Sequence, residues 1–229
     1  MGELVEFPSN GSTATGYLAA ASEGAGLGVV VVEEGPGLVP HVRDVCDRFA
    51  AEGFTALAPD LHHGRTLPPG DANEAAEAQM SLDLDAAGRD MSGAVDHLAQ
   101  HPAVRGSGVG VVGFSLGGGL ALWLATVRPD MVRAVVPFYG GAWLGRRPDW
   151  SRMAAAVEGH YAENDEVAGF DAARSLEEEL TASGKEVRIF LYPGTAHGFF
   201  DDTRPEVFDA DAARQAWVRT LEFLRAKLG

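Results

Sequence analysis

Cysteine is nearly absent: Cys46 is the only one in 229 residues. A single thiol excludes an internal disulfide framework and a cysteine-cluster zinc site. Basic residues are scarce too. Lys and Arg number 18 against 33 Asp and Glu, a formal net charge of −15. That charge repels phosphate backbones and anionic lipid, so neither nucleic acid nor membrane is an expected partner. No stretch reaches the roughly 18 consecutive apolar residues of a membrane-spanning helix. The opening Met1-Gly2-Glu3-Leu4-Val5-Glu6 has neither the basic start nor the apolar core of a signal peptide, which points to the cytoplasm. Without such a leader, Asn10-Gly11-Ser12 reads as a turn and not as a glycosylation site.

What is present is an ordinary globular composition, 46% apolar, on a chain long enough for one large core. There is no internal repeat and no linker, so residues 1–229 are expected to form a single domain. Continuous apolar runs alternate with helical patterns. Runs occur at Gly28–Val32, Phe54–Ala58, Val109–Val112, Val132–Phe138, Ala156–Tyr161 and Val187–Tyr192. Uninterrupted runs of this kind suit strands buried on both faces of a parallel sheet. Helices are expected over about 41–51, 73–100 and 116–127, and at the C-terminus. There Trp217, Leu221, Leu224 and Leu228 fall on one face. Glu3–Phe7 and Thr15–Leu18 are expected to form an antiparallel hairpin at a sheet edge. The pattern implies an α/β fold with helices on both faces of a mostly parallel sheet of about seven or eight strands.

The most informative segment is Val109-Gly110-Val111-Val112-Gly113-Phe114-Ser115-Leu116-Gly117-Gly118-Gly119. It contains G-x-S-x-G with an apolar strand entering and an apolar helix leaving, the setting of a nucleophile elbow. Ser115 is therefore the candidate nucleophile. The helix beginning at Leu116 would point its first amides at a developing oxyanion. Gly108, Gly110 and Gly113 also spell G-x-G-x-x-G. The first two lie at the start of the strand, however, and no acidic residue ends a following strand at the required distance, so a dinucleotide site is rejected. No Gly-Lys-Ser/Thr follows the glycines, which excludes a P-loop.

On this scaffold the base follows the nucleophile with an acid between them. His160 sits inside an apolar run and reads as packed. His197, on the loop Tyr192-Pro193-Gly194-Thr195-Ala196-His197-Gly198-Phe199, is the candidate base. Asp165 in Ala162-Glu163-Asn164-Asp165 is the favoured acid; Glu163, Glu166 and Asp171 compete on position alone.

Several blocks together resemble the dienelactone hydrolase family: Val30-Val31-Val32-Glu33-Glu34-Gly35-Pro36-Gly37, Phe54-Thr55-Ala56-Leu57-Ala58-Pro59-Asp60-Leu61, the elbow Gly113–Gly119 and Ala196-His197-Gly198-Phe199. The resemblance covers nearly the whole chain and implies an α/β-hydrolase fold. It implies a triad of Ser115, Asp165 and His197, with oxyanion donors at the Leu116 and Gly35 amides and an accessory glutamate at Glu34. It also implies a substrate pocket that includes Tyr139 and the histidine-loop Phe199. Trp143 is a further wall candidate from the loop after Tyr139. The implied activity is hydrolysis of a small-molecule ester or lactone through an acyl-enzyme, with no cofactor and no metal, by a monomer or homodimer.

Two departures stand out. The founding enzymes carry cysteine where this chain has Ser115, and serine depends on a general base at the moment of attack. Family members that act on dienelactone hold its carboxylate with arginines, one of them four residues after the histidine; Asp201 occupies that position here. A small anionic lactone is therefore disfavoured. Thioester cleavage, acyl transfer and ligand binding without turnover are the competing readings of the same residues.

Among the remaining candidates, His62-His63 reads as a loop element without a third metal ligand. Cys46 reads as a buried thiol, and Glu177-Glu178-Glu179 as a solvated helix face. Trp150 is expected to lie with Trp143 on a surface loop, as a wall over the site or packed on the surface.

Overall fold

The computed structural model describes residues 1–32, 37–65, 82–140 and 147–229. The chain divides into two compact units, Met1–Val109 and Gly110–Gly229.

In the first unit, β1 (Glu3–Ser9) and β2 (Ser12–Ala19) form the expected antiparallel hairpin. Asn10 and Gly11 both take positive φ, 40° and 106°. That is the backbone of a tight hairpin turn whose twist matches its strands. β2 continues antiparallel onto β4 (Phe54–Pro59), and β4 pairs in parallel with β3 (Gly26–Val32). Every residue of β3 and β4 is buried, which is why both read as unbroken apolar runs.

Helix α1 (Pro40–Ala51) starts on a proline, whose missing amide costs nothing in the first turn. It buries Val42, Val45, Cys46 and Phe49. Helix α2 (Leu84–Gln100) is shorter than the 73–100 span read from the sequence. Asp83 is the cause: its carboxylate caps the helix by accepting from the amides of Asp85 and Ala86, and a capping residue lies outside the helix it starts. Residues 66–81 lie outside the described ones. The Asp60 carboxylate accepts from the His62 and Gly64 amides and so shapes the turn after β4. His63 on this turn places Nε2 3.3 Å from the buried Asp90 carboxylate of α2, which also accepts from the Ser9 hydroxyl of β1.

β5 (Val104–Phe114) leads into the second unit, where β6 (Val132–Phe138), β7 (Ala156–Asn164) and β8 (Val187–Ala196) run parallel. The eight strands order β1-β2-β4-β3-β5-β6-β7-β8 in one mostly parallel sheet. Helix α3 (Leu116–Val127) is apolar nearly all round and correspondingly buried. Helices α4 (Phe170–Ala182) and α5 (Ala210–Leu228) each bury one face. On α5, Ala213, Ala216 and Thr220 join Leu221, Leu224 and Leu228 on that face, while Trp217 is only half-buried.

Two surface readings need correction. Trp150 is buried in a short helical turn (Trp150–Arg152), and its indole N–H donates to Glu179 at 3.0 Å. Arg147 binds the same carboxylate. Glu179 is thus an anchor for the 147–152 segment and not part of a solvated face, because the indole needs an acceptor once buried.

Candidate active site

The site is built on the exit of β5. Ser115 sits between β5 and α3 with φ 49° and ψ −115°, a conformation side chains rarely adopt. Holding it there stores on the order of 1–3 kcal/mol. The chain can make this turn because its neighbours are small. A Cβ on Gly113 would lie 2.0 Å from the Gly117 carbonyl oxygen, and one on Gly118 would lie 2.9 Å from Gly140 Cα. The Ser115 amide donates to the Phe138 carbonyl at 3.0 Å, fastening the elbow to the end of β6. Leu116 is the first residue of α3, so its amide has no acceptor within the helix and lies at the positive end of the helix dipole.

Asp165 follows β7 directly. Its side chain is fully buried. One oxygen accepts from the Val167 and Ala168 amides at 2.7 and 2.8 Å; the other lies 2.8 Å from His197 Nδ1. Burial alone would raise its pKa. The His197 hydrogen bond and the two amides outweigh that, and the net effect holds the carboxyl below its ordinary value of 3.8. Asp165 is therefore an anion at neutral pH, able only to accept. His197 must then carry its proton on Nδ1, which leaves Nε2 with a lone pair facing Ser115 Oγ at 2.9 Å. Serine, histidine and aspartate form one continuous hydrogen-bonded line, with the imidazole still partly open to solvent.

Tyr139 backs that imidazole. Its ring centroid is 4.9 Å from that of His197, at 60°. Tyr139 is wholly buried and has φ 36°, with its amide donating to the His160 carbonyl at 2.7 Å. The next carbonyl, that of Gly140, accepts from the buried Tyr161 hydroxyl at 2.7 Å. Phe199 is also buried, packed between the rings of Tyr139 and Tyr192. Nothing in the sequence marks Tyr161: it is one more large residue in a buried strand.

The rival acids lie elsewhere. Glu163 is exposed and accepts from the Gly194 amide; Glu166 and Asp171 are exposed, the latter in the first turn of α4. His160 is fully buried between the Tyr192 hydroxyl at 2.9 Å and the Thr220 hydroxyl at 3.1 Å. Burial there drives its pKa down to about 3. Glu34, Gly35 and Trp143 lie outside the described residues.

Comparison with known proteins gives one consistent answer. The model of the dienelactone hydrolase family matches residues 14–228. Over 232 aligned residues covering both chains completely, the sequence is 33% identical to protein usf of Aquifex pyrophilus. It is 30% identical, again over both full lengths, to a candidate carboxymethylenebutenolidase of Aquifex aeolicus. A candidate dienelactone hydrolase of Klebsiella pneumoniae superposes with a TM-score of 0.88 over 98% of each chain, at 25% identity. A dienelactone hydrolase-like promiscuous phosphotriesterase from metagenomic libraries superposes at 0.86 with 23% identity, over 100% of this chain and 99% of that one, a likeness of fold. The chain belongs to the dienelactone hydrolase family, has the α/β-hydrolase fold and is a carboxylic ester hydrolase.

Proposed function

We propose that this member of the dienelactone hydrolase family is a serine hydrolase that cleaves an uncharged carboxylic ester or lactone through an acyl-enzyme. The hydrogen-bonded line from Ser115 through His197 to Asp165, with heavy-atom distances of 2.9 and 2.8 Å, is the observation that carries the reading. Ser115 Oγ attacks the carbonyl carbon as its proton passes to His197 Nε2. Asp165 stays ionised and stabilises the imidazolium. The carbonyl oxygen becomes an oxyanion facing the Leu116 amide, with Gly35 as the second donor that the family resemblance supplies. Collapse of the tetrahedral intermediate expels the alkoxide, which takes the proton from His197. Water then attacks the acyl-enzyme as His197 takes its proton; the second tetrahedral intermediate collapses, the carboxylic acid leaves, and His197 returns the proton to Ser115 Oγ.

The nature of the substrate rests on charge. Asp201 stands four residues after His197, where relatives that hold a carboxylate have arginine. It is buried, and its carboxylate accepts from the Thr203 amide and hydroxyl. That group favours a neutral substrate over an anionic one. By the family resemblance Glu34 is an accessory residue, and Tyr139, Trp143 and Phe199 are the pocket candidates.

The test is hydrolysis of p-nitrophenyl esters of increasing chain length by the wild type and by Ser115→Ala. The variant is expected to lose at least 10³-fold in kcat, by the measure of other triads, with its thermal melt unchanged. Turnover that survives the substitution would remove Ser115 from the chemistry. A wild type inactive on esters but active on a neutral lactone panel would narrow the substrate without changing the mechanism.

A further inference from the structure

β7 and β8 pair in regular parallel register as far as Tyr161 with Leu191 and Ala162 with Tyr192. They next pair at Asn164 with Ala196. Between those points a single residue, Glu163, faces three: Pro193, Gly194 and Thr195. β8 therefore bulges by two residues immediately before His197, and β7 reaches Asp165 immediately after the re-pairing. Bulges of this kind interrupt a ladder and re-aim the side chain that follows.

The bulge leaves backbone groups to be satisfied. Pro193 has no amide to place. The Thr195 hydroxyl donates back to the Tyr192 carbonyl at 2.8 Å. Gly194 takes φ 76°, open to glycine at little cost. Its amide donates to the Glu163 carboxylate at 2.8 Å. A side chain of β7 thus replaces the ladder bond that the bulge removes.

We propose that Glu163 is a positioning residue: its carboxylate pins the β8 bulge so that His197 lies in reach of both Asp165 and Ser115. The assignment rests on the triad reading above. Glu163 touches neither the reacting atoms nor His197; it acts through Gly194 and the three residues that lead to the histidine. Its position two residues before Asp165 makes it a rival acid on sequence alone, and the fold gives it this other task.

The experiment compares Glu163→Gln, Glu163→Ala and Glu163→Asp with the wild type and Ser115→Ala on p-nitrophenyl acetate. Glutamine keeps an acceptor oxygen at the same reach, and its kcat is expected within about two-fold of wild type. Alanine removes the acceptor, and aspartate keeps the charge but falls short of Gly194. Both are expected to lower kcat by about ten-fold with KM little changed, since an ångström of misplacement can cost about 10²-fold. A proton NMR spectrum supplies the second readout: the downfield Nδ1–H signal of His197 should weaken or broaden in Glu163→Ala and persist in Glu163→Gln. Wild-type kcat and an unaltered signal in Glu163→Ala would overturn the proposal. So would a loss in Glu163→Gln as large as that in Glu163→Ala with wild-type kcat in Glu163→Asp, which would indicate charge and not position. Glu163→Asp carries the test if Glu163→Ala melts early. Activity remaining in Ser115→Ala would instead overturn the triad reading itself, so the two failures are separable.

Discussion

At the scale of single residues, the site depends on groups held where they would not otherwise rest. Ser115 and Tyr139 both have positive φ without being glycine, and each is fixed through its own amide, Ser115 donating to the Phe138 carbonyl and Tyr139 to the His160 carbonyl. Asp165 is held differently, as a desolvated anion that three hydrogen bonds keep ionised. Asp165→Asn preserves shape but presents an amide to Nδ1 and favours the wrong tautomer. Its kcat is expected to fall by about 10⁴-fold with KM little altered; a loss below ten-fold in steady-state kinetics would contradict the role. The same residue leaves a mark on stability. Its folded pKa lies below the ordinary 3.8, so the folded state releases this proton more readily than the unfolded chain. The resulting stabilisation is complete above the ordinary carboxylate range and fades as the pH falls below about 4. In urea melts from pH 6 down to pH 3, the stability gap between wild type and Asp165→Asn should shrink.

At the scale of elements, β7 carries one buried acid and leads directly into another, Asp165, with the opposite titration behaviour. Near its start, Glu158 is buried with an oxygen 3.7 Å from His160 Nε2. Burial raises its pKa to about 7, against the pull of Arg188 and Arg219 and with a further push from Glu222. The sign is the reverse of Asp165. The folded state keeps a proton that the unfolded chain gives up near 4.5, so stability declines as the pH rises from about 4.5 to about 7. Each pKa unit is worth about 1.4 kcal/mol, which puts the full effect on the order of 3 kcal/mol. Glu158→Gln should flatten the melting temperature over that interval and gain most at pH 8; a wild type whose melting temperature rises steadily from pH 5 to pH 8 would refute the assignment. Elements of this kind also mark the limits of legibility in the sequence. The buried strands and α3 announce themselves, since burial on all sides requires unbroken apolar runs. The elbow is equally legible, because only small residues permit its close approaches. Asp165 is favoured but not separated from Glu163, as both fall in one acidic stretch of sequence and the bulge that distinguishes them is a property of strand pairing. The start of α2 at Leu84 is illegible in the sequence for a similar reason: an aspartate cap looks like any polar residue until its carboxylate turns onto the amides of Asp85 and Ala86.

At the scale of the whole molecule, the charge of −15 sets a field that every substrate crosses on its way to Ser115. A net excess of carboxylates lowers the local concentration of anions and raises that of cations, and salt screens the effect over a Debye length of about 10 Å at 0.1 M. The local discrimination proposed for Asp201 is separate, because a buried group is screened much less. The two contributions can be separated with three esters sharing an acyl group and differing only in the charge of the alcohol. At low ionic strength kcat/KM should rise from the anionic through the neutral to the cationic ester. Raising the salt to about 0.5 M should narrow the spread, through the association rate and with kcat unchanged. If steering by the net charge were the whole cause, the three values would converge. Asp201 near the histidine predicts instead that a residual penalty on the anion survives at high salt. Asp201→Asn should remove that remainder while leaving the salt-dependent part in place. An anionic ester that matches the neutral one at every ionic strength would contradict both the steering argument and the assignment of neutral substrates.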